Sequence, residues 1–226
     1  MAINFTGSYS ENFDSLANTG TSSVLPADWL ILETGTSANA NGQHTAGTGS
    51  SNAGDTYSFG PAGSTERALG SLQSGSLTPL FGTSFTNNTG ITVTSLTVSY
   101  QGEQWRLGTA VRADRLDFQY SLDATSLSAG TWVDVDSLDF SSPTTATPLG
   151  ALDGNTNSGL INAPIAGINI PVGATFWFRW NNFDATGADD GLAIDNFTLS
   201  TGVTPLPTAG VTITSTDASY NGLAGK

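Results

Sequence analysis

An all-β sandwich or barrel is the fold class this chain predicts, and three observations predict it. Helical periodicity is nearly absent, with brief candidates only around Ser15-Leu16-Ala17 and Ser64–Ala68. Roughly a dozen short runs alternate apolar and polar residues between clusters of turn formers. Composition agrees: among 226 residues there are 27 Gly and 9 Pro, and only 11% are charged, which suits short strands joined by many loops. With 38% hydrophobic residues and 5 Trp the chain supports a sizeable core and is not a disordered low-complexity sequence.

In chain order, Ile3-Asn4-Phe5 through Phe13 offers a first strand and an edge, and Asp28–Glu33 a second. Residues 35–56 hold almost no apolar side chain and read as a long surface loop. Thr56–Gly60, Glu66–Leu72 and Phe81–Phe85 follow as short strands. From Ile91 to Tyr100 the apolar phase slips by one residue: Ile91 and Val93 are odd, whereas Leu96, Val98 and Tyr100 are even. Such a slip inside a continuous strand marks a β-bulge. Arg115–Tyr120 alternates with Leu116, Phe118 and Tyr120 inward, and Trp132–Val135 with Leu138–Phe140 looks like a further pair. Residues 141–159 form a second turn-rich loop before Ile161, Ile165, Ile168 and Ile170.

The last part of the domain is the most informative. Phe176, Phe178 and Trp180 share one side of an extended run, and Trp177 and Arg179 take the other. An acidic turn follows, then Leu192–Leu199, where Ala193, Asp195, Phe197 and Leu199 are expected on one side. A carboxylate among apolar neighbours needs a cation or several donors, so Asp195 marks a charge-satisfied sandwich with a metal at its edge as one solution. Two prolines within 204–208 end the domain, and Val211-Thr-Ile-Thr begins a new β-like phase. The expected division is residues 1–200 as one domain and 201–226 as a linker leading into a following segment.

The formal net charge is −13, from 19 acidic against 6 basic residues. Such a surface repels phosphate backbones and anionic membranes, which argues against nucleic-acid partners. There is no cysteine, hence neither a disulfide framework nor thiolate chemistry. The N-terminus lacks a basic region followed by an apolar core, and no apolar stretch approaches spanning length, so no signal peptide and no membrane insertion are expected.

Several segments in one order resemble a known family: Glu11-Asn-Phe-Asp14-Ser-Leu, Leu25-Pro26-Ala-Asp-Trp29, Ser64–Leu72, Asn87-Asn88-Thr89-Gly90, Tyr100–Arg106 and Gly187–Asn196. Together they look like the N-terminal module of long cyanobacterial secreted or surface proteins, some of which carry nuclease or phosphatase domains downstream. The resemblance covers nearly all of residues 1–200. It implies an antiparallel two-sheet jelly roll of the concanavalin A-like or laminin-G-like kind, and an extracellular, secreted location.

Jelly rolls usually place first and last strands side by side, which would bring Glu11 or Asp14 towards Asp195. In related carbohydrate-binding sandwiches, an acidic residue of the first strand and the Asp of a terminal Ile-Asp strand help hold a structural calcium. Calcium takes six to eight hard oxygens, and acidic Gly-rich turns supply them. The candidate metal ligands are therefore Glu11, Asp14, Asp184, Asp189, Asp190 and Asp195. The competing arrangement pairs Arg179, Arg106 or Arg67 with Asp195 and Glu103 and needs no metal.

Catalysis is not expected. His44 is the lone histidine and stands in a polar stretch, and no nucleophile elbow, metalloprotease motif or P-loop is present. The glutamates Glu11, Glu33, Glu66 and Glu103 are isolated, and Asp134-Val-Asp136 reads as an exposed strand surface. Glycan binding needs aromatic faces and planar polar groups. Trp29, Trp105, Trp132, Trp177 and Trp180 supply the first, and Gln104, Arg106 and Asn181 the second. Trp105, flanked by Gln104 and Arg106, is the preferred ligand platform. Asn87-Asn88-Thr89 reads as a turn rather than a glycosylation acceptor. The expected function is non-catalytic attachment to a glycan or cell-surface polymer. The alternative is a self-associating subunit of a sheath, filament or surface layer, assembled through the 201–226 segment.

Overall fold

A computed structural model describes residues 1–202. The chain forms strands β1 (Ile3–Phe5), β2 (Ser8–Glu11), β3 (Thr21–Ser22), β4 (Trp29–Gly35), β5 (His44–Gly47), β6 (Asp55–Phe59), β7 (Ala68–Leu72) and β8 (Leu77–Asn87). It continues through β9 (Val93–Leu107), β10 (Arg115–Ser121), β11 (Val133–Asp134), β12 (Phe140–Ser141), β13 (Gly150–Ala151), β14 (Ser158–Ile170), β15 (Thr175–Asn182) and β16 (Gly191–Thr201). A single 3-10 turn at Asp136–Leu138 is the only helical element among the described residues. Neither brief helical candidate of the sequence becomes a helix.

The strands build a two-sheet sandwich. One sheet runs β1-β8-β15-β10-β11, with β4 also on β8 and β12 on β10. The other runs β13-β9-β16-β7-β6-β5-β3, with β14 on β9 and β2 on β16. Between them lies a core in which alternate residues of β15 (Phe176, Phe178, Trp180) meet Phe81 and Phe85 of β8, Val98 and Tyr100 of β9, and Phe197 of β16. Trp180 is fully buried, and its ring stacks between Trp29 at 5.8 Å and Phe81 at 5.8 Å. Aromatic pairs of this kind each add about 0.5–1.5 kcal/mol beyond their burial. Trp177 and Arg179 face the other way, where residues 122–132 fold over the sheet. Leu127 packs on Trp177, and the Arg179 guanidinium lies 4.0 Å from the Trp132 ring.

The arrangement departs from a wholly antiparallel one in two pairs: β1 runs parallel to β8, and β5 parallel to β6. A parallel neighbour requires a crossover. Residues 48–54 supply it by crossing the outer face of the larger sheet as far as β9. There Gly49, at φ +77°, sits where an added Cβ would come within 1.8 Å of the Trp105 carbonyl oxygen. The expected surface loop 35–56 therefore contains a strand, β5, in which His44 is fully buried. Two expectations match closely. The phase slip between Val93 and Leu96 falls where β14 shifts register against β9, with Ala166 opposite Ser95 and Ile170 opposite Val93. The first strands also meet the last, since β2 pairs with β16 and places Glu11 opposite Phe197. Thr201 still belongs to β16, and residues 203–226 with their expected linker, β-like phase and assembly role lie outside the described residues.

Candidate metal centre

A bulge decides which way Asp195 points. Along β16, Leu192 and Ile194 join the inter-sheet core, and Ala193 packs on the outer face with Tyr57, Phe59, Ala68, Leu72 and Trp105. Pairing with β9 then shifts register between Asp195 and Thr198, and Asn196 adopts a positive φ of 49°. One extra residue reverses the alternation. Phe197 and Leu199 return to the core, and Asp195 stays with Ala193 on the outer face. The single apolar side expected for Ala193, Asp195, Phe197 and Leu199 is thus split between two faces.

On that outer face Asp195 meets two glutamates. Ala193 lies opposite Glu103 of β9, and Glu66 stands two residues before the start of β7, the other neighbour of β16. Carboxylate oxygens of Glu66, Glu103 and Asp195 all lie within 4.8 Å of one another, close enough to share one ion. Glu103 is 2% exposed and Asp195 5%, beneath a cover that includes residues 153–157. Gly154 is required in that cover, because a Cβ there would come within 2.2 Å of Trp105 Nε1.

Protein donors satisfy the triad only in part. Trp105 Nε1 donates to Glu103 Oε2 at 2.8 Å, Asn155 Nδ2 to Glu66 Oε2 at 3.0 Å, and Asn196 Nδ2 to Asp195 Oδ2 at 2.6 Å. Asp195 Oδ1 and Glu66 Oε1 are buried without a hydrogen-bond partner. Burial, opposed by the Trp105 hydrogen bond and reinforced by Asp195, Glu66 and Asp153, pushes the Glu103 carboxyl up to about 8. Burial, opposed by the Asn196 backbone and reinforced by Glu66 and Asp14, lifts Asp195 to about 7.

The arginine alternative is not what the chain builds. Arg67 alternates to the opposite side from Glu66, where its Nε donates to Ser58 Oγ at 2.9 Å and its Nη2 to the Ser58 carbonyl. Arg106 Nη1 donates to the Gly49 and Ser50 carbonyls, and Arg179 donates to Gln119 and the Leu127 carbonyl. Among the described residues no ion pair reaches Glu66, Glu103 or Asp195. Three clustered carboxylates, buried oxygens without donors and no ion-paired cation fit a hard divalent ion.

The predicted ligand set divides. Asp195 is in the cluster, and Asp14 lies beside it, adding to its negative field while accepting the Arg67 amide at 3.3 Å. Glu11 is instead taken up locally by the Phe13 amide at 2.9 Å. Asp190 belongs to a separate polar network at the β15–β16 turn. Its Oδ1 accepts from Gly108 N at 2.7 Å, and its Oδ2 from Gln104 Nε2 at 2.9 Å and Ser142 Oγ at 2.6 Å. Asp189 joins that region through the Ala185 amide and Arg112, 3.8 Å away, and Asp184 is exposed. Donors already serve Asp189 and Asp190, so they do not converge on the triad. Glu66 and Glu103, read as isolated in sequence, complete the carboxylate cluster. Their one local signal is Glu103 two residues before Trp105, which puts carboxylate and indole on the same strand face.

The ligand platform also needs correction. Trp105 is 2% exposed and stacks on Phe59 with ring centroids 6.0 Å apart, so neither face is free. Gln104 is fully buried, donating to Asp190 and the Thr144 carbonyl. Trp29, Trp177 and Trp180 are buried as well. Only Arg106 of the predicted ligand residues reaches an open surface, in a cleft beside the β15–β16 turn. A second acidic group, Asp134, Asp136 and Asp139, is a more open turn in which Asp139 accepts the Phe118 amide and faces Arg115 at 3.5 Å.

No family model matches the chain, and no curated protein matches it. Among solved structures it is similar to TmCBM61 in complex with beta-1,4-galactotriose, at 13% identity and a TM-score of 0.40 over 78% of this chain and 90% of that one. It is similar to the K3 cleaved adhesin domain of Lys-gingipain from Porphyromonas gingivalis w83, at 12% identity and a TM-score of 0.45 over 78% and 93%. The CBM22-1–GH10 modules of Clostridium thermocellum xylanase 10B give 12% identity and a TM-score of 0.35 over 86% of this chain and 27% of that longer one. Nothing about ligand or activity passes to this chain at such overlap.

Proposed function

We propose that this chain is a non-catalytic β-sandwich module of an extracellular protein, that it attaches to a glycan or other surface polymer, and that structural calcium closes its outer face. The observation carrying this reading is the cluster of buried Glu103 and Asp195 with half-buried Glu66, which makes no ion pair among the described residues. Calcium suits it because every available group is a hard oxygen, with Asp14, Asp153 and Asn155 around the rim. The ion would tie β9, β16 and the segment before β7 together and neutralise charges that otherwise oppose folding.

A structural rather than catalytic role follows from access. Glu103 and Asp195 are buried and only Glu66 reaches the surface, so a substrate bond has no room between two of the carboxylates. His44, the lone histidine, is buried with both ring nitrogens unpartnered, and burial together with Arg67 lowers its pKa. No described nucleophile is activated by it. Attachment is supported by the open polar cleft at the β15–β16 turn, a surface separate from the metal centre.

Thermal melts with calcium and with chelator test the metal, and retention on immobilised polysaccharides tests the attachment. A melting temperature indifferent to calcium would remove the first part, and indifference to every polymer the second.

A further inference from the structure

The cleft beside the β15–β16 turn holds about 400 Å³, within the roughly 300–1,000 Å³ range of small-ligand sites. Its walls come from Gln73 and Ser74 after β7, Asn52 of the crossover, Arg106 at the end of β9 and Asp184 of the turn, with the buried Leu72 at its base. Arg106 has no carboxylate within ion-pair reach among the described residues, although the chain carries a net charge of −13. Two backbone carbonyls, of Gly49 at 3.1 Å and Ser50 at 3.3 Å, hold only its Nη1. Gln73 is 5% exposed, and its Oε1 is buried without a donor. A guanidinium with donors to spare and a carboxamide oxygen lacking one are both unfinished on the protein side.

Charge decides what completes them. A cationic ligand would meet Arg106, and an anionic one would meet Asp184, Asp189 and the surplus of negative charge. An uncharged group bearing several hydroxyls meets neither penalty, because each hydroxyl both donates and accepts. Arg106 would supply donors, Asp184 would accept, and Gln73, Asn52 and Ser74 do both. We infer that this cleft binds a neutral sugar unit of a glycan, with Arg106, Gln73 and Asp184 recognising its hydroxyls. The inference rests on the attachment reading and narrows it to one surface and one ligand class.

Affinity electrophoresis of the calcium-loaded chain through gels containing galactan, xylan, mannan, glucan or, as the anionic comparison, polygalacturonate tests it. Retardation is expected in at least one neutral gel. Arg106→Ala should weaken it at least tenfold. Asp184→Ala, at an exposed position where folding is not at stake, should weaken it several-fold with the melting temperature unchanged. If both variants are retarded as strongly as wild type, the sugar binds elsewhere and the cleft assignment falls while attachment stands. Retention by polygalacturonate alone would overturn the neutral class. No retention in any gel would remove attachment and the cleft together.

Discussion

Trp105 Nε1 donates a 2.8 Å hydrogen bond to Glu103 Oε2, and indole and carboxylate project from the same face of β9 two residues apart. The indole closes the outer cluster by stacking on Phe59 and also holds one ligand of the candidate metal centre in place. Packing and site orientation therefore share one side chain.

Substitution separates these roles. Trp105→Ala should cost about 3–5 kcal/mol, as for other buried large-to-small changes. Trp105→Phe keeps most of the packing but leaves Glu103 without its donor, costing about 1–3 kcal/mol. Calcium affinity, read from the calcium dependence of the melt, should fall several-fold in Trp105→Phe because the carboxylate is no longer oriented. An unchanged melting temperature in Trp105→Ala would mark the indole as a surface platform instead.

Asp195 gives the sharpest test of the metal. At pH 8, calcium at a hundredfold excess over its dissociation constant should stabilise the wild type by about 2.7 kcal/mol. That corresponds to a rise of about 5–10 °C for a domain of this size. Asp195→Asn preserves shape while removing one charge from the triad. It should melt above the metal-free wild type and show little response to calcium. A wild-type response retained in Asp195→Asn would place the ion elsewhere.

Much of this fold was legible because strands announce themselves by alternation. Phe176, Phe178 and Trp180 sit inside, and Trp177 and Arg179 outside, as a period of two requires. The acidic centre was legible only through Asp195. Glu66 and Glu103 stand far apart in sequence and meet because β7 and β9 both flank β16, a fact of topology rather than local pattern. Strand β5 was hidden because Thr45, Ala46 and Gly47 carry no apolar stripe, and the crossover that buries it uses glycine and serine. Trp105 misled for the opposite reason. Its polar neighbours Glu103 and Gln104 are themselves buried, so a polar surrounding did not signify a surface.

The bulge at Asn196 fixes the direction of Asp195 and should be sensitive to backbone chemistry. At φ 49° an asparagine is tolerated better than most residues, and glycine better still. Asn196→Gly should leave stability within about 1 kcal/mol, the lost side-chain bond to Asp195 Oδ2 being offset by relaxed strain. Asn196→Val should cost more than about 1–2 kcal/mol, since a β-branched side chain resists this conformation. Chemical denaturation of the two variants gives the comparison directly, and equal losses would show that the positive φ is not what holds the bulge.

Proton linkage supplies the last expectation, and calcium opposes it. Glu103 and Asp195 titrate at about 8 and about 7 in the folded chain, against about 4 in an unfolded one. A raised carboxyl pKa means the folded state holds the proton more tightly. Its contribution to stability is therefore complete below about pH 4 and is lost as pH rises through 7 and 8. Without metal, these two groups should make the domain less stable at pH 8.5 than at pH 5. Calcium needs both carboxylates ionised, so its stabilisation should be small at pH 5 and largest above pH 8. Melts across this range with calcium and with chelator should give two curves that diverge as pH rises. Parallel curves would mean that the ion, if bound, does not sit on Glu103 and Asp195.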